Sequence, residues 1–197
     1  MDLALFNKTT FIDFKQICEG KLRLAVGQFD RKKVATADLD GLSDQLVSGI
    51  SLSVPRLIEE KATYDREPTQ MPDPFGHFDI VPGVKITLII PFEGDSDLFG
   101  VRPTSGHISP PSGSVISKTE LSLSEEFRTE DDNAQAAKHA FDRRIEKIRY
   151  HLTTLTSDCE TLKKHLCQTA RRLIEARQAE IRKDEEFGKA MGIPRRS

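Results

Sequence analysis

The feature that most constrains the fold is the stretch from Asp131 to Phe187, which contains neither Gly nor Pro. Within this stretch, apolar residues recur at alternating steps of three and four, in one phase, for about five heptads. The pattern predicts a long α-helix with one apolar seam along its length. The seam residues are Phe141, Ile145, Ile148, Leu152, Leu155, Cys159, Leu162, Leu166 and Leu173.

The sequence leaves open what packs against this seam. An unbroken heptad seam is typical of a coiled coil, which predicts a homodimer or a partner protein bound along the long helix. The alternative is that the helix packs on the rest of its own chain, because long core helices also carry an apolar stripe. A second stripe predicts that the buried face rotates or widens towards the C-terminal end; it consists of Cys167, Ala170, Ile174 and Ile181.

Length and composition indicate a globular protein. The chain has 197 residues, 30% charged and 37% hydrophobic, enough for one large domain or two small ones. The net charge of −2 gives no reason to expect a polyanion or a membrane surface as an obligatory partner. Of the three cysteines, Cys159 and Cys167 lie eight residues apart on the predicted long helix, too far for a disulfide within it. Because the N-terminus also does not resemble a signal peptide, we expect a bacterial, cytoplasmic protein that does not enter the membrane.

The residues before the long helix predict a mixed head. One helix is expected over about residues 9–28, with Phe11, Phe14, Ile17, Cys18, Leu22 and Ala25 on its apolar face. A second helix is expected over about 36–50, after a charged connection. Strand-like segments around residues 57–65, 84–91 and 114–124 predict a small antiparallel sheet, with a Pro- and Gly-rich loop over 67–83. The predicted class is therefore α+β: a head over 1–128, a coiled-coil-like helix over 131–190 and a tail over 191–197.

Two groups of polar residues have the composition of metal sites. The turn from Glu93 to Asp97 is rich in carboxylates, and Asp95, Asp97 and His107 would form the centre of a small metal-dependent hydrolase. A solvated turn capped by Asp explains the same residues. The segment Glu59-Glu60-Lys61 has a nuclease-like Glu-x-Lys spacing, but no preceding Asp completes it. We therefore predict no catalytic residue, no metal and no cofactor, and the hydrolase is an alternative.

Basic pairs on the long helix suggest a second alternative, a nucleic-acid clamp that follows phosphates along the helix. Acidic residues are interleaved with these pairs, which is more typical of solvated or interhelical ion pairs. Nucleic-acid binding is therefore possible but not favoured. The basic residues are Lys163, Lys164, Arg171, Arg172, Arg182 and Lys183.

One run resembles a signature of a group of uncharacterised bacterial proteins: Ile90-Pro91-Phe92-Glu93-Gly94-Asp95, then Leu98-Phe99 and Arg102-Pro103. The ending from Met191 to Arg196 is similar to the same group's. In that group, a region of this size precedes a nuclease-like domain of the restriction-endonuclease type, which is absent here. The resemblance implies an accessory module without the chemistry, associated with a nuclease-like or defence system.

The signature also has a structural interpretation. Gly94 is expected to adopt a turn conformation that other residues resist, and Pro91 is expected to end the hydrogen bonding of its strand. Arg102 is expected to pair with Asp95 or Asp97 and fix the loop. Taken together, the sequence predicts a non-catalytic protein-interaction and assembly module that self-associates through the long helix.

Overall fold

The computed structural model describes residues 3–72, 80–105, 109–129 and 133–192. It confirms the predicted α+β class, with a curled antiparallel sheet, several helices and a long C-terminal helix. The chain forms two compact units. Residues 1–11 and 53–158 form the first, which we call the sheet unit, and residues 12–52 and 159–197 form the second, which we call the helical unit.

The elements follow one another in this order: β1 (Leu3–Ala4), β2 (Thr9–Thr10), α1 (Phe11–Gln28), α2 (Arg31–Thr36), α3 (Leu39–Ser48), β3 (Arg56–Leu57), β4 (Thr63–Pro72), β5 (Ile80–Glu93), β6 (Val101–Arg102), β7 (Ser112–Val115), β8 (Glu120–Arg128) and α4 (Ala134–Met191). Short 3-10 turns occupy Glu59–Lys61 and Ser96–Gly100. Most of the sheet follows the strand order β1-β7-β8-β5-β3, and β4 pairs with β5 beside β3.

The loop expected over residues 67–83 is wrong for residues 67–72 and 80–83, which belong to strands, while residues 73–79 lie outside the described residues. Strand β4 continues to Pro72 and β5 begins at Ile80, and the two pair antiparallel in one unbroken register. Strand β5 is the long central strand, with β4 on one side and β8 on the other. The expected end of hydrogen bonding at Pro91 is also wrong, since β5 runs to Glu93 and the Pro91 carbonyl accepts from the Ile58 N–H at 2.8 Å.

The direction of the backbone groups in β5 explains how these strands accommodate proline. The Phe92 N–H donates towards the β8 side, to the Thr119 carbonyl, whereas the Pro91 carbonyl accepts from Ile58 on the opposite side. Because backbone groups alternate along a strand, even-numbered residues of β5 face β8 and odd-numbered residues face β4. The missing N–H of Pro82 would face β8 beyond its last paired residue, Arg128, so no ladder bond is lost there.

Helix α4 confirms the predicted long helix, and its seam is buried within a single chain. The predicted seam residues from Phe141 to Leu166 are all buried, and Leu173 is half-buried. Beyond Leu166 the buried face passes to Ala170, Ile174 and Ile181, as the second stripe predicts. The intrachain alternative therefore accounts for the seam without a second chain, and a dimer through the same residues would first require them to be uncovered.

The helical unit contains α1 from Ile12 onward, α2, α3 and the part of α4 from Cys159 onward. On α1 the buried residues are Phe11, Cys18, Leu22 and Val26. The expected place of Ile17 on this face is wrong, since its side chain is half exposed. The segment expected as a charged connection is instead helix α2, with Asp30 as its N-cap.

Polar side chains of α4 satisfy the carbonyl groups at the ends of α1 and α2. Arg177 donates to the Val26 carbonyl and, at 2.7 Å, to the Phe29 carbonyl. Gln178 donates to the Val34 carbonyl at 2.9 Å and to the Ala37 carbonyl at 3.1 Å. The last carbonyls of a helix have no partner within the helix, so these bonds tie both ends to α4.

Replacing Arg177 should therefore destabilise the helical unit. An Arg177→Ala variant is expected to lose about 1.5–3 kcal/mol of unfolding free energy, because the bonds to Val26 and Phe29 have a charged donor. Urea denaturation measures this loss. Arg172→Ala is the matched control, since its side chain is exposed and, among the described residues, donates to the Gln168 carbonyl of its own helix. Equal urea midpoints for the two variants would contradict the role of Arg177 in stabilising the end of α1.

Candidate interaction surfaces

The six basic residues proposed for nucleic-acid contact are all exposed on α4, within the helical unit. Arg171 is paired with Asp40, with an N–O distance of 3.1 Å, and lies 3.7 Å from a carboxylate oxygen of Glu175. The charge of this residue is therefore balanced by two carboxylates. This arrangement matches the interhelical pairing that the interleaved acidic residues predicted and reduces the positive field that a phosphate would meet.

The carboxylates considered for metal binding have structural partners. The Asp95 side chain accepts from the Asp97 N–H at 3.0 Å, and Glu59 accepts two bonds from Arg149 at 2.8 and 2.6 Å. His107 lies outside the described residues. Over residues 3–72, 80–105, 109–129 and 133–192, no group of three or more His, Cys, Asp or Glu side chains is placed to hold a metal ion.

The turn at Gly94 has the structural role that its sequence predicts. Its φ of +117° confirms the expected turn conformation. A Cβ at this position would lie 2.8–2.9 Å from backbone atoms of Ser53, Val54 and Pro55, so the chain passes close against the turn. The expected pairing of Arg102 with Asp95 or Asp97 is wrong, because Arg102 donates to the Asn7 side chain instead. Gly192 has a φ of +66° just after α4, while Ile193 and Pro194 lie outside the described residues.

A buried histidine that the sequence did not single out lies in the sheet unit. His151 is 2% exposed, and its ring stacks on Phe6 with 4.8 Å between centroids. Neither ring nitrogen has a hydrogen-bond partner among the described residues. Burial lowers the pKa of His151 below its usual value of 6.5. The folded protein therefore holds this imidazole in its neutral form.

We predict that acid destabilises the protein through this residue. As the pH falls below about 6.5, the unfolded chain takes up a proton that folded His151 resists, so unfolding free energy falls with pH. His151→Leu should flatten this dependence and stabilise the fold by about 1–2 kcal/mol, because it removes buried unpaired polar atoms. Urea midpoints measured between pH 5 and 8 test both effects. His165→Leu is the contrasting variant, since His165 lies 2.8 Å from Glu19 and its loss should destabilise.

The outer edge of β4 has no strand beside it within the described part of the chain. Strand β4 pairs only with β5 there, and most of its residues are exposed. Odd-numbered residues of β5 face β4 and pair with odd-numbered β4 residues such as Asp65 and Glu67. The even-numbered residues Tyr64 and Arg66 therefore direct their backbone groups outward. Pro68 also has an outward position, where a missing N–H costs no ladder bond.

An apolar groove of about 460 Å³ borders this edge. Tyr64 and Arg66 form the β4 wall, with Leu88 and Ile86 opposite them on β5. The first two turns of α4 form the other wall. Tyr64 is 70% exposed although it lies on the same sheet face as the buried core. The described residues that line the groove are Tyr64, Arg66, Ile86, Leu88, Ala134, Ala137 and Phe141.

Sequence reasoning missed this surface because it assigned most of β4 to a loop on the basis of its prolines. The available signal was their position, since Pro68 and Pro72 share one parity and so face the same side of a strand. No protein-family model, curated protein or solved structure matches the chain. In the described ranges, no helix has the length and apolar character that would let it cross a membrane.

Proposed function

We propose that the protein is a non-catalytic interaction module that binds a partner protein at the groove beside β4. The observation that carries this proposal is the combination of an open strand edge and an apolar groove bordered by a mostly exposed tyrosine. Apolar concave surfaces with a few polar groups at the rim are typical of binding sites. Tyrosine is also enriched among the residues that dominate binding energy at interfaces.

The position of the seam supports this choice of surface. From Phe141 to Leu166 the seam is buried within one chain, so the residues expected to join two chains already stabilise one. Helix α4 then acts as a scaffold whose first turns supply one wall of the groove, through Ala134, Ala137 and Phe141. The association with a nuclease-like or defence system and the cytoplasmic location stay predictions.

Peptide display tests the proposal even though the partner is unidentified. A library of short displayed peptides is selected on the full chain, and enriched peptides are measured against two variants. Tyr64→Ser should weaken their binding at least about tenfold, because it removes the exposed aromatic wall of the groove. Tyr150→Ser is the matched control, since Tyr150 is the chain's other tyrosine, is exposed on α4 and does not line the groove.

The selection has two outcomes that contradict the proposal. The first is that no peptide is enriched above a surface without the protein. The second is that enriched peptides bind the Tyr64→Ser variant as tightly as the wild type. Circular dichroism of both variants establishes that any loss of binding arises at the groove and not from unfolding.

A further inference from the structure

The geometry of β4 points to the form and the charge of the partner segment. We infer that an extended strand of the partner pairs with the outer edge of β4, places apolar side chains in the groove and places basic side chains on the opposite face. This inference rests on the proposed function and adds the partner's backbone conformation and its charge pattern. Addition of a strand to an exposed sheet edge is an established way for proteins to bind peptides.

The backbone of β4 limits where such a strand can pair. Tyr64 directs its N–H and carbonyl outward, because its odd-numbered neighbours are the ones that bond β5. Pro68, further along the same edge, offers a carbonyl but no N–H. The added ladder is therefore centred on Tyr64 and weakens at Pro68.

The alternation of side chains specifies what the partner places on each face. Side chains at even-numbered positions of β4 face the groove, and a partner residue there meets the apolar side chains of Leu88 and Ile86. Apolar side chains are therefore the favoured occupants of the groove.

The opposite face of the sheet is acidic near this edge. Asp65 and Glu67 lie on that face, with Thr87 and Lys85 as their cross-strand neighbours on β5. Lys85 lies between two carboxylates, because its neighbour on β4 is Glu67 and its neighbour on β8 is Glu126. Arg128 of β8 also lies on this face, because its partner on β5 is Gly83. Two positive charges therefore lie among three carboxylates there, and a partner strand with Lys or Arg at alternate positions would add the cation that this face lacks.

The same charges disfavour a second copy of β4 as the partner strand. In an antiparallel pair that continues the sheet, opposite residues lie on the same face, so odd-numbered residues meet odd-numbered residues. If residue 66 lies opposite its own copy, Asp65 lies opposite Glu67. If residue 65 or residue 67 lies opposite its own copy, two identical carboxylates face each other. Like charges directly opposite each other destabilise a strand pair. In these three registers like charges disfavour self-pairing, whereas a basic partner strand meets the opposite charge.

Synthetic peptides test this inference on the full-length protein. The first probe alternates Lys and Val, and the second alternates Glu and Val. The third is the Lys–Val peptide with N-methyl groups on its Val residues, whose N–H groups would face β4. Fluorescence anisotropy should show the Lys–Val peptide binding at least about tenfold more tightly than either other probe. The double variant Asp65→Lys with Glu67→Lys should reverse the preference between Lys and Glu peptides.

The outcomes separate the inference from the proposed function. Binding of the Lys–Val peptide that depends on Tyr64 but is unchanged by N-methylation would overturn the strand pairing and leave the groove as the binding site. Equal binding of the Glu–Val peptide would overturn the charge assignment. The N-methylated probe needs no change to the protein, so it decides the pairing even if the double variant does not fold. Absence of any Tyr64-dependent binding would overturn the inference, and the peptide selection then decides the proposed function.

Discussion

A Leu155→Glu variant is expected to lose the cooperative unfolding transition of the wild-type protein. Leu155 has no exposed surface and lies in the buried part of the seam that belongs to the sheet unit. An ionised carboxylate there has no described partner, and burial of an unpaired charge costs several kcal/mol. The loss of the leucine packing adds about 2–5 kcal/mol. Because a domain has a net stability of only about 5–15 kcal/mol, the sheet unit should unfold.

Thr153→Glu is the matched control for this prediction. Thr153 lies two residues away on the same helix and is exposed, so the same change there should be close to neutral. Circular dichroism and thermal unfolding distinguish the two variants. A folded Leu155→Glu protein that sediments as a lighter species than the wild type would contradict the account, because it would show that the seam joins chains and does not form their cores.

The second large effect is expected at Gly94. An alanine there would have to adopt a φ near +117° and place its Cβ within 2.9 Å of three backbone atoms. A residue held in such a conformation costs about 1–3 kcal/mol, and the overlap must also be relieved by movement of the passing backbone. We therefore expect Gly94→Ala to lower the unfolding free energy by at least about 3 kcal/mol, measured by urea denaturation.

Gly20→Ala provides a control of opposite sign. Gly20 lies inside α1, and a Cβ there meets nothing within 4 Å. Because alanine is favoured over glycine in a helix interior by up to about 1 kcal/mol, this change should stabilise the protein. A Gly94→Ala variant as stable as the wild type would mean that the segment from Ser53 to Pro55 does not pass close against the turn.

The elements predicted correctly are those whose sequence signal is local and repeated. Helix α4 follows from its heptads, and even the rotation of its buried face is visible in Ala170, Ile174 and Ile181. The turn conformation of Gly94 follows from glycine's freedom at positive φ. What the seam packs against did not follow, because a heptad pattern specifies an apolar face and not whether its partner belongs to the same chain.

The features missed are those that depend on which strands become neighbours. Pro68 and Pro72 indicate a loop when the chain is read alone, yet both are compatible with an edge strand once their backbone faces outward. Arg102 was expected to pair with Asp95 or Asp97 because these residues are close in sequence. It donates instead to Asn7, which is distant in sequence. His151 sits beside the seam, and its burial follows from tertiary packing against Phe6. The groove, built from β4, β5 and α4, has no single sequence signature for the same reason.

Amide hydrogen exchange along β4, measured residue by residue by NMR in the free protein, tests whether the outer edge of β4 is open. We expect an alternation: fast exchange at Tyr64 and Gln70, which face outward, and slow exchange at Asp65 and Glu67, which bond β5. Addition of the Lys–Val peptide should then slow exchange at Tyr64. Uniformly slow exchange along β4 in the free protein would contradict the account, because the edge would already be covered.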